Sequence, residues 1–341
     1  MTESCEATSF IFHSSFLIFN YNPMDKKYGL ATRDAYGKAL IDLGKQNPNI
    51  VVLDADLSKS TKTEKFGQTY PERFFNCGIC EANMVSMASG FAMNGKVPFV
   101  SSFACFVVCK GYDQLRMSVA FPELNVKIVS SHGGISIGED GASQQSIEDV
   151  ALMTTLPGFA VMVPSDEFCA TALVKQSATH KGPVYIRMGR PKAPIVHNEK
   201  THFEIGKAVP LLEGRDVTIF ANGLLVWEAL AAAEQLAKQG VKASVIDLHT
   251  VKPLDEQVII DEARRTGCFV CAEEHQIWGG MGSAIARLLA EKGHPVPMEF
   301  VAIQDTYAES GTPDELMVKY GMTADHIVAA AERAITKKQR A

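Results

Sequence analysis

The sequence predicts an α/β protein of two doubly wound domains with mostly parallel sheets. From about residue 30 onward, short apolar runs of strand length alternate with longer helical stretches. The continuous apolar run at residues 50–54 is typical of a parallel strand buried on both faces. A polar, proline-containing stretch at residues 191–201 separates two such alternations, which indicates two domains.

The first domain is predicted to span residues 27–192, after an extension without regular structure at residues 1–26. Its strands are expected at residues 50–54, 74–76, 98–102, 126–130, 160–164 and 184–187. Its helices are expected at residues 33–44, 82–93, 111–120, 146–154 and 166–179. This order favours a parallel sheet covered by helices.

A linker is predicted at residues 193–204, and the second domain at residues 205–341. Its strands are expected at residues 217–221, 245–247, 268–272 and 299–303, and its helices at residues 224–239 and 324–336. Gly240 follows the first helix as a predicted C-cap, and Thr323 precedes the second as a predicted N-cap.

Composition narrows the class of protein. The net charge of −6 gives no basic field for nucleic acid. The longest apolar stretches are strand-length or interrupted by charge, so no membrane span is predicted. The N-terminal residues lack the basic region and cleavage site of a signal peptide, and a cytoplasmic protein is expected.

The eight cysteines include two Cys-x-x-Cys pairs, Cys77/Cys80 and Cys268/Cys271. In zinc ribbons such pairs are about 15–20 residues apart, whereas these are far apart in the chain. We therefore predict no metal site, and expect buried free thiols of a reducing compartment.

Glu81 is the first candidate for a functional residue. It follows a predicted strand and begins a helix of small and apolar residues. A carboxylate at a helix N-terminus interacts favourably with the helix dipole, by about 0.3–1 kcal/mol. Phe103 and Phe106 lie three residues apart at the start of the next helix, where they could flank a flat ring or simply belong to the core.

The loop at residues 131–145 follows a predicted strand and contains four glycines together with His132, Asp140 and Gln144. Polar groups at the carboxyl end of a strand lie where open α/β sheets bind ligands, and glycine allows close approach of the backbone. Arg33, Ser60 and Arg190 lie at a helix start or just after strands. Arginine is suited to bidentate phosphate binding, so these three residues are candidates for an anion site.

Five motifs together resemble the transketolase family, in the family's order and at near-family spacing. They are Ala31-Thr-Arg-Asp-Ala-Tyr-Gly, Gly78-Ile-Cys-Glu-Ala-Asn-Met, Ser102-Phe-Ala-Cys-Phe, Ser136-Ile-Gly-Glu-Asp-Gly-Ala-Ser-Gln and Arg190-Pro. The resemblance covers about residues 30–337, which correspond to the family's pyrimidine-binding and C-terminal domains.

The resemblance implies a thiamine diphosphate enzyme and a role for each candidate. Glu81 would activate the cofactor ring, and Phe103 and Phe106 would pack on its pyrimidine with Gln144 nearby. The phosphate of a sugar phosphate would be held by Arg33, Ser60, His132 and Arg190. Asp140 would contact a substrate hydroxyl. Some family members have histidine at the position of Gln144, so a proton-transfer role there is not implied.

The Gly-Asp-Gly motif and the following Asn, which bind metal and diphosphate in full-length members, do not occur in this sequence. The glycine-rich stretch at residues 279–283 lacks those ligands, and we interpret it as a packing turn between strand and helix. The resemblance therefore implies the C-terminal subunit of a split transketolase. An N-terminal subunit would bind Mg²⁺ and diphosphate, and the assembly would be α2β2.

The predicted reaction is transfer of a two-carbon ketol unit from a ketose phosphate to an aldose phosphate, as in the pentose phosphate pathway. Two thiamine alternatives are a 1-deoxyxylulose-5-phosphate synthase and the β subunit of a 2-oxo acid dehydrogenase. The candidate phosphate-binding residues favour a sugar phosphate. A non-catalytic scaffold or regulatory subunit is the alternative from another class.

Overall fold

The computed structural model describes residues 26–340. The extension expected at residues 1–26 therefore lies, apart from Lys26, outside the described residues. The strands are β1 (Tyr28–Ala31), β2 (Ile50–Asp54), β3 (Phe74–Asn76), β4 (Val97–Ser101), β5 (Lys127–Ser130), β6 (Ala160–Met162), β7 (Val184–Arg187), β8 (Lys192–Pro194), β9 (Val209–Leu212), β10 (Val217–Ala221), β11 (Ala243–Asp247), β12 (Thr250–Lys252), β13 (Phe269–Gln276) and β14 (Met298–Ile303).

Helices connect these strands. They are α1 (Thr32–Gln46), α2 (Ser58–Thr61), α3 (Glu64–Thr69), α4 (Glu81–Met93), α5 (Ala104–Gln114), α6 (Asp149–Thr155), α7 (Glu167–Thr179), α8 (Leu225–Lys238), α9 (Glu256–Thr266), α10 (Met281–Lys292), α11 (Pro313–Lys319) and α12 (Ala324–Arg340). A 3-10 turn at Pro71–Arg73 precedes β3, and a π-helical stretch at Leu115–Ala120 extends α5.

Two sheets form the centre of the molecule. The first has the strand order β12-β6-β7-β5-β4-β2-β3, in which only β12 is antiparallel to its neighbour. The second has the order β14-β13-β10-β11-β9, in which only β9 is antiparallel to its neighbour. Every residue of β2, β4, β5 and β10 is buried, as expected for apolar strands covered on both faces. The predicted α/β class with mostly parallel sheets is confirmed.

Strand β12 crosses from the second half of the chain to the first sheet. Thr250 lies opposite Met162 of β6. The ammonium group of Lys252 donates hydrogen bonds to the carbonyl oxygens of Thr154 and Leu156, at 2.9 and 2.6 Å. The edge of the first sheet is therefore completed by a segment that follows the predicted linker.

Several predicted boundaries were wrong. The helix expected at 111–120 begins earlier, at Ala104, which agrees with the helix start that the sequence indicated at Phe103 and Phe106. The C-cap of α8 is Gln239, and Gly240 follows it with φ +82°. Strands β1, β8, β9 and β12 and helices α2, α3, α9 and α11 were not predicted, whereas α10 begins where a helix was expected, at the glycine-rich stretch of residues 279–283.

Candidate active site

Glu81 is the first residue of α4 and follows a short connection from β3, which ends at Asn76. Its side chain is only 3% exposed, and its Oε1 atom lies 3.6 Å from Nζ of Lys110. Among the described residues, no hydrogen bond reaches this oxygen. Since a buried polar atom without a hydrogen bond is costly, the carboxylate is an acceptor that a bound donor would satisfy.

Phe103 and Phe106 form a stacked pair at the start of α5. Their ring centroids are 5.4 Å apart, with 17° between the planes. Phe103 also stacks on His132, with centroids 3.7 Å apart. Phe103 is buried and Phe106 is partly exposed, so the pair presents an aromatic surface at the carboxyl end of β4.

Arg33, Ser60 and His132 come together from three separate elements. Nη1 of Arg33 donates a hydrogen bond of 2.9 Å to the carbonyl oxygen of Ser60 and lies 3.3 Å from Nε2 of His132. The contact with Ser60 uses its backbone carbonyl oxygen, and the expected binding of a phosphate by Ser60 stays a prediction. The Nε atom of Arg33 is buried without a partner among residues 26–340.

His132 lies in the left-handed region, with φ +62°. Its Nδ1 atom is 2.7 Å from the hydroxyl oxygen of Ser131. Burial, together with the positive charges of Arg33, Arg190 and Lys62, lowers the pKa of His132 to about 3. The ring is therefore neutral at pH 7 and serves as a hydrogen-bonding group instead of a cation.

Arg190 and Asp140 lie near Arg33. The charge of Arg190 contributes to lowering the pKa of Arg33, after the larger effect of burial, and the charge of Asp140 opposes that shift. Arg190 donates hydrogen bonds to the carbonyl oxygen of Ile137 and, at 2.8 Å, to Glu139. Asp140 is exposed. Two guanidinium groups that repel each other favour an anion between or beside them.

Gln144 is partly buried beside α5. Its backbone carbonyl oxygen accepts a 3.2 Å hydrogen bond from Sγ of Cys105. Its backbone N–H donates a hydrogen bond to the carbonyl oxygen of Gly141. Cys105 lies between the two phenylalanines in the sequence, so Gln144 is held next to the aromatic pair.

The glycine-rich loop is fixed by two buried side chains of opposite charge. A Cβ at Gly133 would lie 2.2 Å from Nε of Arg187, and one at Gly134 would lie 2.2 Å from Oε1 of Glu274. Arg187 donates to the carbonyl oxygens of Ser146 and Glu274, at 2.5 and 2.8 Å. The absence of side chains at both glycines thus lets these charged groups approach the loop.

A continuous series of contacts joins the two groups of predicted site residues, one around Glu81 and one around Arg33. It runs from Ser60 through Arg33, His132, Phe103, Phe106 and Lys110 to Glu81. Sequence reasoning missed Lys110, whose Nζ lies 4.3 Å from the Phe106 ring centroid. Its spacing of four residues from Phe106 on one helix was the available signal.

The cysteines are free thiols in the part of the chain that the structure describes. Cys268 and Cys271 are buried as expected, but Cys80 and Cys109 are exposed. No group of three metal-ligating side chains occurs within residues 26–340. At the second glycine-rich segment, residues 279–283, Glu273 accepts hydrogen bonds from the backbone N–H groups of Met281 and Gly282 at 2.7 and 2.9 Å. The N-terminus of α10 therefore already binds a carboxylate of the same chain.

Two domain families match consecutive parts of the chain. The transketolase pyrimidine-binding domain matches residues 28–195, and the transketolase C-terminal domain matches residues 206–327. The chain belongs to the transketolase family. This confirms the resemblance that the five motifs indicated.

Individual relatives narrow the place of this chain within the transketolase family. A putative transketolase C-terminal section from Methanocaldococcus jannaschii is 43% identical over 86% of this chain and 93% of the relative. The 6-deoxy-6-sulfo-D-fructose transketolase subunit of Clostridium sp. is 43% identical over 90% of this chain and 95% of the relative. A solved structure of a split gene transketolase, an inactive β4 tetramer, is 48% identical, with a TM-score of 0.85. It covers 91% of this chain and 100% of its own.

This chain is therefore a transketolase C-terminal subunit, a component of a transferase. The deoxyxylulose phosphate synthase, oxo acid dehydrogenase and scaffold alternatives receive no support from these relatives. No helix among the described residues is long and apolar enough to cross a membrane.

Proposed function

We propose that this subunit, together with an N-terminal subunit, transfers a two-carbon ketol unit from a ketose phosphate to an aldose phosphate with thiamine diphosphate. The observation that carries the proposal is the buried Glu81 side chain beside the Phe103–Phe106 pair, because its Oε1 atom has no hydrogen bond among the described residues. A cytoplasmic location and a role in the pentose phosphate pathway belong to the same proposal.

The side chains fit the pyrimidine part of the cofactor. Glu81 offers a buried acceptor, and the aromatic pair offers a face on which a flat ring can stack, with Gln144 held alongside. When bound, thiamine diphosphate supplies the nucleophilic carbon for breaking and forming a carbon–carbon bond next to a carbonyl. Glu81 would orient the ring and hold a proton at its carboxylate, and the apolar rings would exclude water.

The residues around Arg33 would bind the terminal anion of the sugar. Arg33 and Arg190 supply positive charge, and neutral His132 supplies a hydrogen bond. The backbone of Ser60 holds Arg33 in place, and its hydroxyl group lies in the same turn. Asp140, exposed beside Arg33, is proposed to accept a hydrogen bond from a substrate hydroxyl.

The proposed partner is an N-terminal subunit that binds Mg²⁺ and diphosphate, in an α2β2 assembly. Support comes from two relatives of matching length, one described as a C-terminal section and the other as a subunit. A third, solved in a β4 form without other subunits, is described as inactive. We therefore expect this chain alone to lack ketol transfer activity.

The test is reconstitution with an N-terminal transketolase subunit, thiamine diphosphate and Mg²⁺. Activity with xylulose 5-phosphate and ribose 5-phosphate is expected only in the mixture. Glu81→Gln should reduce kcat by at least about 100-fold, the lower end of what a positioned acid–base group contributes. The matched control is Glu291→Gln, in an exposed ion pair with Arg287, which should keep wild-type activity.

Activity of the chain alone would contradict the partner requirement, and full activity of Glu81→Gln would contradict the role of Glu81. A second sugar class is favoured by the relative that acts on 6-deoxy-6-sulfo-D-fructose. Because a sulfonate and a phosphate are both oxyanions that arginine binds, the same assay should compare a 6-sulfo ketose with xylulose 5-phosphate by kcat/KM.

A further inference from the structure

Lys110 contacts both sides of the proposed ring-binding site at once. Its Nζ atom lies 3.6 Å from Oε1 of Glu81 and 4.3 Å from the centroid of the Phe106 ring. Phe106 and Lys110 are one turn apart on α5, so their side chains share a face of the helix. The family roles implied by the five motifs do not include this residue.

The contact with Glu81 neutralises charge without making a hydrogen bond. A separation of 3.6 Å is too long for one, and Oε1 has none among the described residues. Within residues 26–340, Lys110 provides the only ion pair of Glu81. Glu81 thus keeps its counter-ion while its acceptor oxygen stays available.

The side chain of Lys110 reaches solvent, whereas that of Glu81 is buried. The side chain of Lys110 is 51% exposed and that of Glu81 is 3% exposed. A long lysine side chain can carry its ammonium group to water while its methylene groups stay on the surface. A flat ring can use the face of Phe106 only after this ammonium group leaves it.

We propose that Lys110 is a displaceable counter-ion of the cofactor site. In the free subunit it pairs with Glu81 and covers Phe106, and it leaves both when a pyrimidine ring binds. This inference rests on the proposed thiamine diphosphate function. In the free subunit the ion pair prevents an unpaired buried charge, which proteins tolerate poorly. On binding, the ring would provide the hydrogen bond that Lys110 does not.

The first test uses the free full chain and needs no cofactor. Lys110→Met, Glu81→Gln and the double variant are compared by urea unfolding. Lys110→Met should raise the unfolding equilibrium constant by about tenfold or more, because it leaves Glu81 unpaired. When Glu81 is already glutamine, the further change Lys110→Met should not destabilise the chain, because no buried charge is left unpaired. Lys110→Arg should be as stable as the wild type.

A control pair is available at the same distance. Lys175 lies 3.6 Å from Asp42, but both side chains are well exposed. Lys175→Met should change the unfolding constant by less than about twofold to fivefold. Equal effects of Lys110→Met and Lys175→Met, or additive effects of the two changes at Glu81 and Lys110, would overturn the counter-ion role.

The second test measures thiamine diphosphate binding calorimetrically in the reconstituted complex with Mg²⁺. Lys110→Met should bind the cofactor several-fold more tightly, because no ion pair must be broken first. Unchanged or weaker binding would overturn the displacement of Lys110. If the wild-type complex itself binds no thiamine diphosphate, both the proposed function and the displacement of Lys110 are wrong. The urea unfolding of the single and double variants tests the ion pair independently of that result.

Discussion

The carboxylate of Glu274 accepts a hydrogen bond of 2.5 Å from the backbone N–H of Ser136. Glu274 lies on β13 in the second half of the chain, and Ser136 lies in the glycine-rich loop that carries His132 and Gln144. The two residues are 138 positions apart. The second domain therefore helps to hold the part of the first domain that carries the candidate site.

Removing this carboxylate should loosen the loop. In Glu274→Ala, the buried N–H of Ser136 loses its acceptor, which should destabilise the chain by about 1–3 kcal/mol in urea unfolding. Hydrogen exchange at the Ser136 amide should also accelerate. Glu291→Ala, which removes only an exposed ion pair, should cost less than about 1 kcal/mol. An unchanged exchange rate at Ser136 in Glu274→Ala would show that the loop is held by other contacts.

Alanine substitutions at two glycines should have opposite effects on stability. Gly134 has φ +82°, and an added Cβ would lie 2.2 Å from Oε1 of Glu274. Gly134→Ala should lower Tm clearly, with a loss above about 1 kcal/mol. Gly90 lies within α4, with no atom within 4 Å of an added Cβ. Gly90→Ala should stabilise by about 0.5–1 kcal/mol. The same sign of change in both variants would contradict the close approach at Gly134.

His132 should make the free chain sensitive to acid. Its pKa in the folded protein is about 3, against an ordinary value of 6.5. As the pH falls from 6.5 towards 3, the unfolded chain binds a proton at this residue and the folded chain does not. The stability contributed by the neutral ring is therefore lost on acidification, at up to about 1.4 kcal/mol per pH unit in this interval.

His132→Asn should flatten the dependence of unfolding free energy on pH between about 6 and 4, since asparagine tolerates the left-handed backbone and does not titrate. The comparison is of slopes, measured by urea unfolding at several pH values. The exposed His202→Asn is the matched control and should keep the wild-type slope. A wild-type slope in His132→Asn would mean that other groups cause the acid sensitivity.

The parts of the fold that the sequence predicted are those with a local signal. Residues 50–54 were predicted as a buried strand because four consecutive apolar residues are followed by Asp54. They match β2 in full. Strand β12 has only three residues and pairs with β6, far away in the sequence. No pattern within such a short segment distinguishes an edge strand from a loop.

The candidate site follows the same division. The motifs predicted Glu81, Phe103, Phe106 and Arg33, and the structure connects them through side-chain contacts. Lys110 reaches Glu81 only because α4 packs on α5, and Glu274 reaches the loop only because the two domains meet. Both residues depend on tertiary packing, which neither hydrophobic periodicity nor a local motif encodes.

Strand β12 also limits how this protein can be divided or recombined. A fragment that ends at residue 195 would lack β12, and β6 would become an open edge with unpaired backbone groups. Such edges invite pairing with other chains and aggregation. The first domain is therefore not an interchangeable module, and a chimera that transfers it to another scaffold needs a replacement for residues 250–252 as well as a new linker.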